Sequence, residues 1–198
     1  LIKSDGTENA LARRQFERLL SLLELDPGLA GAAVDWLDAD NDLRFPTGGE
    51  DVTYAGADPP YRAADTMITS ASELMAVSGF KREIYSTLAP YVTALPIGTK
   101  LNVNTASAVV LASLSDDLDI STAEGLVKQR NDAAFADIDK TFEGLVEPKV
   151  LKELDGVSQH FLLTATVTLG TNQLTMRSVL QRDASGVTRA LFRSLGVE

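Results

Sequence analysis

Apolar residues recur at three- and four-residue steps near the start of the chain, at Ala12, Phe16, Leu19, Leu20 and Leu23, with Arg13, Arg14, Glu17 and Arg18 between them. This period predicts an amphipathic helix over about residues 7–25, ended by Asp26-Pro27-Gly28. A shorter helix over about 28–37 would deliver Trp36, read as a core aromatic, and Leu37 to the interior, and leave the acids that follow in a loop. From Asp65 to Asp155 the pattern stays helical and is heavily punctuated. Ser70 with Glu73 makes a capping box for a helix through Val77, closed by Gly79. Residues 81–94 carry Ile84, Leu88 and Tyr91 with a kink at Pro90. Ser121 with Glu124 repeats the capping signal for a helix through Arg130, and Pro148 suits the first turn of another over about 148–154. Only Lys100-Leu101-Asn102-Val103 reads as extended in this stretch.

After His160 the period changes to two. Phe161, Leu163, Ala165, Val167 and Leu169 alternate with Leu162, Thr164, Thr166 and Thr168, the signature of a strand buried on one face. Gly170-Thr171-Asn172 turns it into residues 173–182, and Asp183-Ala184-Ser185-Gly186 turns those into 187–195, giving an antiparallel meander. A leading helix, a helical middle and three terminal strands describe an α+β fold: one helix packed on an antiparallel sheet, with an inserted all-α subdomain. The expected boundaries are 1–64 and 156–198 for helix and sheet, and 65–155 for the insertion.

Charge narrows the function. Among 198 residues the formal charge is −10, and the basic side chains are dispersed along the sequence. Phosphate neutralisation needs Lys and Arg gathered on one face, so neither nucleic acid nor an anionic membrane is an expected partner. Without Cys there is no disulfide and no thiol chemistry. No apolar run reaches the eighteen or so residues of a membrane span, and the start at Leu1 instead of Met points to a processed or trimmed chain.

The acids are unevenly placed. Asp35, Asp38, Asp40, Asp42, Glu50, Asp51, Asp58 and Asp65 face only Arg44 and Arg62, and Pro46, Gly48 and Gly49 force turns among them. Crowded carboxylates repel, and a hard divalent cation would offset the repulsion. Ca²⁺ fits best, because it takes six to eight oxygen ligands in flexible geometry, whereas zinc or copper would want His or Cys. Asp38, Asp40 and Asp42 match positions one, three and five of the familiar twelve-residue calcium loop. Leu43 at the sixth place and Gly49 at the twelfth do not, with Glu50 one place late, so a calcium loop of another kind is expected. Trp36, Leu37, Phe45, Tyr54 and Tyr61 are too apolar a company for a tail that stays unfolded.

No catalytic pattern stands out. The single His, His160, opens a strand; there is no Gly-x-Ser-x-Gly, no phosphate loop and no His-rich metal word. A carboxylate pair could serve glycoside hydrolysis, but aromatics for a sugar-stacking cleft are scarce, and no enzyme activity is expected.

An ordered series of words resembles the K-type minor pseudopilins of bacterial type II secretion, the general secretion pathway protein K family. They are Asp35-Trp36-Leu37-Asp38-Ala39-Asp40, Gly49-Glu50-Asp51 with Tyr54, Pro59-Pro60-Tyr61-Arg62, Glu73-Leu74 with Val77 and Gly79, Leu88-Ala89-Pro90-Tyr91-Val92, Leu95-Pro96, and Asn102-Val103-Asn104-Thr105-Ala106. The resemblance implies a pilin-like helix and sheet carrying the large helical insertion. It implies a periplasmic location behind an inner-membrane anchor, a hydrophobic segment upstream of Leu1. It also implies a place at the pseudopilus tip with the I, J and H-type minor pseudopilins, starting and capping the filament. Family members bind calcium in the globular part, which supports structural Ca²⁺ at Asp38, Asp40, Glu50 and Asp51; Asp42 and Asp65 complete the expected ligand set.

The run Asn102-Val103-Asn104-Thr105-Ala106-Ser107 also resembles the opening of the helix-hairpin-helix module of DNA-uptake proteins, the rival functional reading. That module meets phosphate through a glycine-containing hairpin. Here the corresponding Ser115-Asp116-Asp117-Leu118-Asp119-Ile120 has no glycine and three acids, which repel phosphate. Asn102, Asn104 and Thr105 read as helix-capping residues.

Overall fold

A computed structural model describes residues 1–195. Helix α1 (Ala10–Leu22) is opened by Asn9, whose side chain accepts from the N–H groups of Leu11 and Ala12, and it buries Phe16, Leu19 and Leu20. α2 (Leu29–Asp35) is buried along its whole length, and α3 (Asp51–Tyr54) is a single turn. The capping box at Ser70 yields a 3₁₀ turn over Ala71–Ala76 instead of an α-helix, with Ser70 accepting from Ser72. The Pro90 kink appears as α4 (Arg82–Leu88) passing into a 3₁₀ turn over Ala89–Tyr91. Strand β1 (Leu101–Asn102), α5 (Ala108–Ala112), α6 (Ile120–Asp132), α7 (Ile138–Phe142), α8 (Pro148–Leu151) and β2 (Leu154–Asp155) follow. β3 (His160–Leu169), β4 (Asn172–Arg182) and β5 (Thr188–Leu195) close the described chain.

The three terminal strands pair in the order β3-β4-β5, both pairs antiparallel, with a register shift at Val179/Leu180. The mixed helix and antiparallel sheet expected from the sequence is therefore present. α1 packs on α2 and α5, where the small apolar surface of Leu29, Ala30, Ala32 and Ala33 accommodates its Phe16-Leu19-Leu20 stripe. One detail differs from expectation. The face of β3 expected to be buried stays largely open: Leu163, Val167 and Leu169 are exposed. The strand period reports which residues share a face, and whether another element covers that face is a separate matter.

Apolar side chains form two cores. One gathers Ile2, Leu20, Trp36, Tyr54, Leu74 and Leu88 with their neighbours, and Ala63, Ala64, Met67 and Ile68 pack against it. The other gathers Val103, Leu111, Leu118, Leu126, Phe142 and Leu154. The short β1 and β2 pair in parallel, Leu101 with Leu154 and Asn102 with Asp155, and close this second lobe. Among the described residues no helix is long and apolar enough to cross a membrane.

In the second lobe Asn102 caps the turn that follows it, its Oδ1 accepting from the Asn104 N–H at 2.9 Å, whereas Asn104 does something other than capping. The cap of α5 is Ser107, accepting from Val110, and α6 is capped by Asp119, accepting from Thr122, and not by Ser121. Asn104 instead ties distant loop segments together: its Nδ2 donates to the carbonyls of Phe135 (3.3 Å) and Gly156 (3.1 Å), and its Oδ1 accepts from the Phe135 N–H at 2.8 Å. Asn102 donates to Ser158 Oγ at 2.9 Å, joining the lobe to the approach to β3.

Candidate metal centre

Asp35 is the last residue of α2 and Asp38 follows three later on the same continuing turn, where the N–H groups of Leu37 and Asp38 both donate to the Val34 carbonyl. Residues three apart on a helical turn share a face, so both carboxylates point toward the loop 39–49. Both are fully buried.

Asp35 organises that loop. Its Oδ2 accepts from the backbone N–H groups of Arg44 and Gly49, each at 3.0 Å, and its Oδ1 accepts from Arg44 Nη1 at 2.6 Å. One carboxylate thus holds both limbs of the turn. A Cβ at Gly48 would overlap Asp35 Oδ2 and the Arg44 backbone, so this close approach requires glycine. Arg44 also donates from Nε to Glu8 Oε2 at 2.9 Å. Burial opposes the charge on its guanidinium, but hydrogen bonds to Asp35 and Glu8 outweigh it and raise the pKa above the usual arginine value.

Asp38 and Glu50 are treated differently. Arg44 Nη1 lies 2.7 Å from Asp38 Oδ2, yet the contact is an ion pair without hydrogen-bond alignment, and neither Asp38 oxygen has a hydrogen-bond partner. Glu50 precedes α3, is 5% exposed, and has no donor on either oxygen. Burial pushes Asp38 up to about 6, opposed by Arg44 and assisted by Asp40 and Asp35. Burial, followed by the charges of Asp35, Asp38, Asp65 and Asp40, pushes Glu50 up to about 7.

Oxygens of Asp35, Asp38 and Glu50 all lie within 4.8 Å of one another. Three carboxylates against one guanidinium leave two negative charges in a buried space, and buried charge without compensation is strongly disfavoured. A divalent cation with a preference for oxygen fits this deficit in both charge and donor type, since the group has neither His nor Cys. Asp38 Oδ1 and both Glu50 oxygens, which have neither a hydrogen bond nor an ion pair, offer the lone pairs such an ion would take.

The remaining residues of the expected ligand set lie outside this close group. Asp40 is exposed and its Oδ1 accepts from the Asp42 N–H at 2.9 Å, shaping the loop tip. Asp51 stands in the first turn of α3 and accepts from the Ala63 N–H at 3.1 Å, which staples the following segment. Asp65 adopts φ 48° and donates its N–H to the Trp36 carbonyl at 3.2 Å, placing its charge where it acts on Glu50. The ligand set expected from the sequence omitted Asp35; its spacing of three from Asp38, at the end of a wholly apolar helix, was the available signal.

An aromatic wall closes the centre. Trp36 is 5% exposed, as its reading as a core residue requires, and packs edge-on against Tyr54 at 5.0 Å, with Tyr61 at 5.1 Å from Tyr54. Tyr54 Oη accepts from the Ser78 N–H at 3.2 Å, so the wall is anchored across the core.

Comparison with known proteins places this architecture. Two models of the type II secretion system protein K family match the chain, one over residues 1–97 and the other over 101–158. The type II secretion system protein K of Pseudomonas aeruginosa is 34% identical over 192 residues, covering 92% of this chain and 56% of that protein. The protein K of Pectobacterium carotovorum is 32% identical, covering 77% of this chain and 49% of that protein. The chain thus spans about half the length of the curated relatives it matches. A chain in the crystal structure of the GspK-GspI-GspJ complex from the type 2 secretion system of enterotoxigenic Escherichia coli superposes with a TM-score of 0.83 at 25% identity, over 98% of this chain and 74% of that one. Nothing in these likenesses supports the DNA-binding alternative. With residues 1–97 and 101–158 matched by its models and a relative 34% identical along 92% of the sequence, the chain belongs to the type II secretion system protein K family.

Proposed function

We propose that this chain is the globular part of a minor pseudopilin that assembles with I and J-type partners, and with an H-type subunit, at the tip of a type II secretion pseudopilus, where the complex starts and caps the filament. The observation that carries this reading is the superposition of 98% of the chain on a component of the GspK-GspI-GspJ complex. The role is structural and not enzymatic: its chemistry is that of surfaces that pack. The helical bulk of residues 10–155 suits a terminal subunit, because it would obstruct another subunit stacking above it. The family likeness further supports a periplasmic location and an inner-membrane anchor.

Within that role, Asp35, Asp38 and Glu50 hold a structural Ca²⁺, with Asp40 and Asp65 adding negative charge around it. The ion would cross-link the end of α2 to the start of α3 and so fix the long intervening loop in a chain without disulfides.

Mixing the chain with the soluble parts of I and J-type pseudopilins tests the assembly reading. The expected outcome is a single co-eluting species in size-exclusion chromatography at micromolar concentration, and three separate peaks would overturn it. Elemental analysis after purification in calcium, followed by titration of the stripped protein, tests the metal. One bound calcium per chain, lost in Glu50→Gln, is expected.

A further inference from the structure

The hairpin between α5 and α6 is the part of the helix-hairpin-helix likeness that the proposed function leaves without a task. Most of its side chains are committed within the protein, Asp117 being exposed. Ser113 and Ser115 are buried, Leu118 is 1% exposed, and Asp119 caps α6. Asp116 reaches outward to α1, where Arg18 grips it with two aligned hydrogen bonds, Nε to Oδ1 at 2.6 Å and Nη2 to Oδ2 at 2.7 Å. The hairpin thus presents a carboxylate to a guanidinium of its own chain.

This pair spans the seam between the two cores, where α1 meets α5. Leu11 of α1 packs against the second core and Val109 of α5 against the first. Open clefts flank that ridge. One, of about 390 Å³, separates Ile2, Leu11 and Gln15 from Leu114, Val150 and Leu154. The other, of about 520 Å³, separates Arg14, Arg18 and Leu22 from Ala112, Ser115 and Leu118. A narrow apolar ridge with a void on each side is a pivot, since rotation about it leaves both cores intact, whereas a filled interface resists it. Bidentate Arg–carboxylate geometry adds direction to the closed arrangement.

We infer that the acidic hairpin is a clasp: Asp116 latches the second helical lobe onto α1 through Arg18, and releasing the latch lets that lobe swing about the Leu11–Val109 ridge. The clasp would let the subunit change its outer shape without melting either core.

The absence of Cys makes the test direct. Spin labels at Glu83→Cys on α4 and Lys128→Cys on α6, both exposed, report the distance between lobes. Arg18→Glu and Asp116→Arg each break the pair, and each should raise the population of longer distances by about two- to five-fold, the range for one exposed ion pair. The double variant Arg18→Glu/Asp116→Arg restores the pair with its charges exchanged and should return the wild-type distribution. Single variants indistinguishable from wild type, or a double variant as broad as either single one, would overturn the clasp. Unchanged far-ultraviolet circular dichroism in all three confirms that the lobes themselves are intact.

Discussion

The carboxylates of Asp38 and Glu50 come within 4.8 Å of each other in the protein interior, and none of their four oxygens accepts a hydrogen bond. Natural interiors pair their polar atoms almost without exception, so this juxtaposition is costly unless an ion or a proton occupies it. Asp35 beside them accepts from Arg44 and Gly49, so beyond the oxygen it brings to the group it also builds the loop.

Calcium should therefore stabilise the protein. At a hundredfold excess over the dissociation constant the gain is about 2.7 kcal/mol, read as a rise in melting temperature between chelator and calcium by calorimetry. Superimposed melting curves at neutral pH would remove the metal from the account.

The pH dependence has a definite sign. Asp38 is raised from 3.8 to about 6 and Glu50 from 4.5 to about 7, so the folded metal-free chain holds protons that the unfolded chain has released. The stability this contributes is fully present below about pH 4 and is lost as pH rises through 6 and 7. A tenfold difference in proton affinity between the folded and unfolded chain corresponds to about 1.4 kcal/mol. Metal-free protein should unfold more easily at pH 8 than at pH 5, and the benefit of added calcium should grow across the same interval, because protons and the ion compete for the same oxygens. Urea titrations at pH 5 and 8, with and without calcium, check both trends.

Substitutions within the acid cluster should separate. Asp35→Ala leaves Arg44 and two backbone N–H groups without their partner and should cost about 3–5 kcal/mol, with or without calcium. Glu50→Gln removes one buried charge and should leave the metal-free protein at least as stable as wild type while abolishing the calcium-induced shift. Asp40→Ala, on the exposed loop tip, should change metal-free stability by less than about 0.5 kcal/mol. Calorimetry of the three variants in chelator and in calcium distinguishes builder, ligand and bystander.

Asn104→Ala should destabilise the second lobe by about 1–3 kcal/mol, because it strips the Phe135 N–H and the Phe135 and Gly156 carbonyls of a shared partner. Asn104→Asp keeps the acceptor for Phe135 but turns an anionic oxygen on the two carbonyls, so it should not rescue the loss. Chemical denaturation of both variants reads the difference.

Several of these features could be read directly from the order of residues. The stripe of Phe16, Leu19 and Leu20, the start of α8 at Pro148 and the turns at Gly170-Thr171-Asn172 and Asp183–Gly186 all appear where expected. So does the concentration of acids after Trp36. Each is a property of neighbours within about four positions: helical and strand periods, proline's fixed φ and turn chemistry act over that range. The same signals misplaced the cap of α6, since Asp119 and Ser121 are both capable and only the path of the hairpin selects between them. They also assigned capping to Asn104, whose three partners lie 31 and 52 residues away. The tertiary structure alone decided which carboxylates converge: Asp35 and Asp38 leave α2, Glu50 enters α3, and their meeting depends on the long intervening loop folding back onto Arg44. It likewise decided that α1 lies on α2 and α5 while one face of β3 stays largely open. Amphipathic elements state that they must bury a face, but the choice of partner follows from shape and from the charges that must be neutralised when distant segments meet.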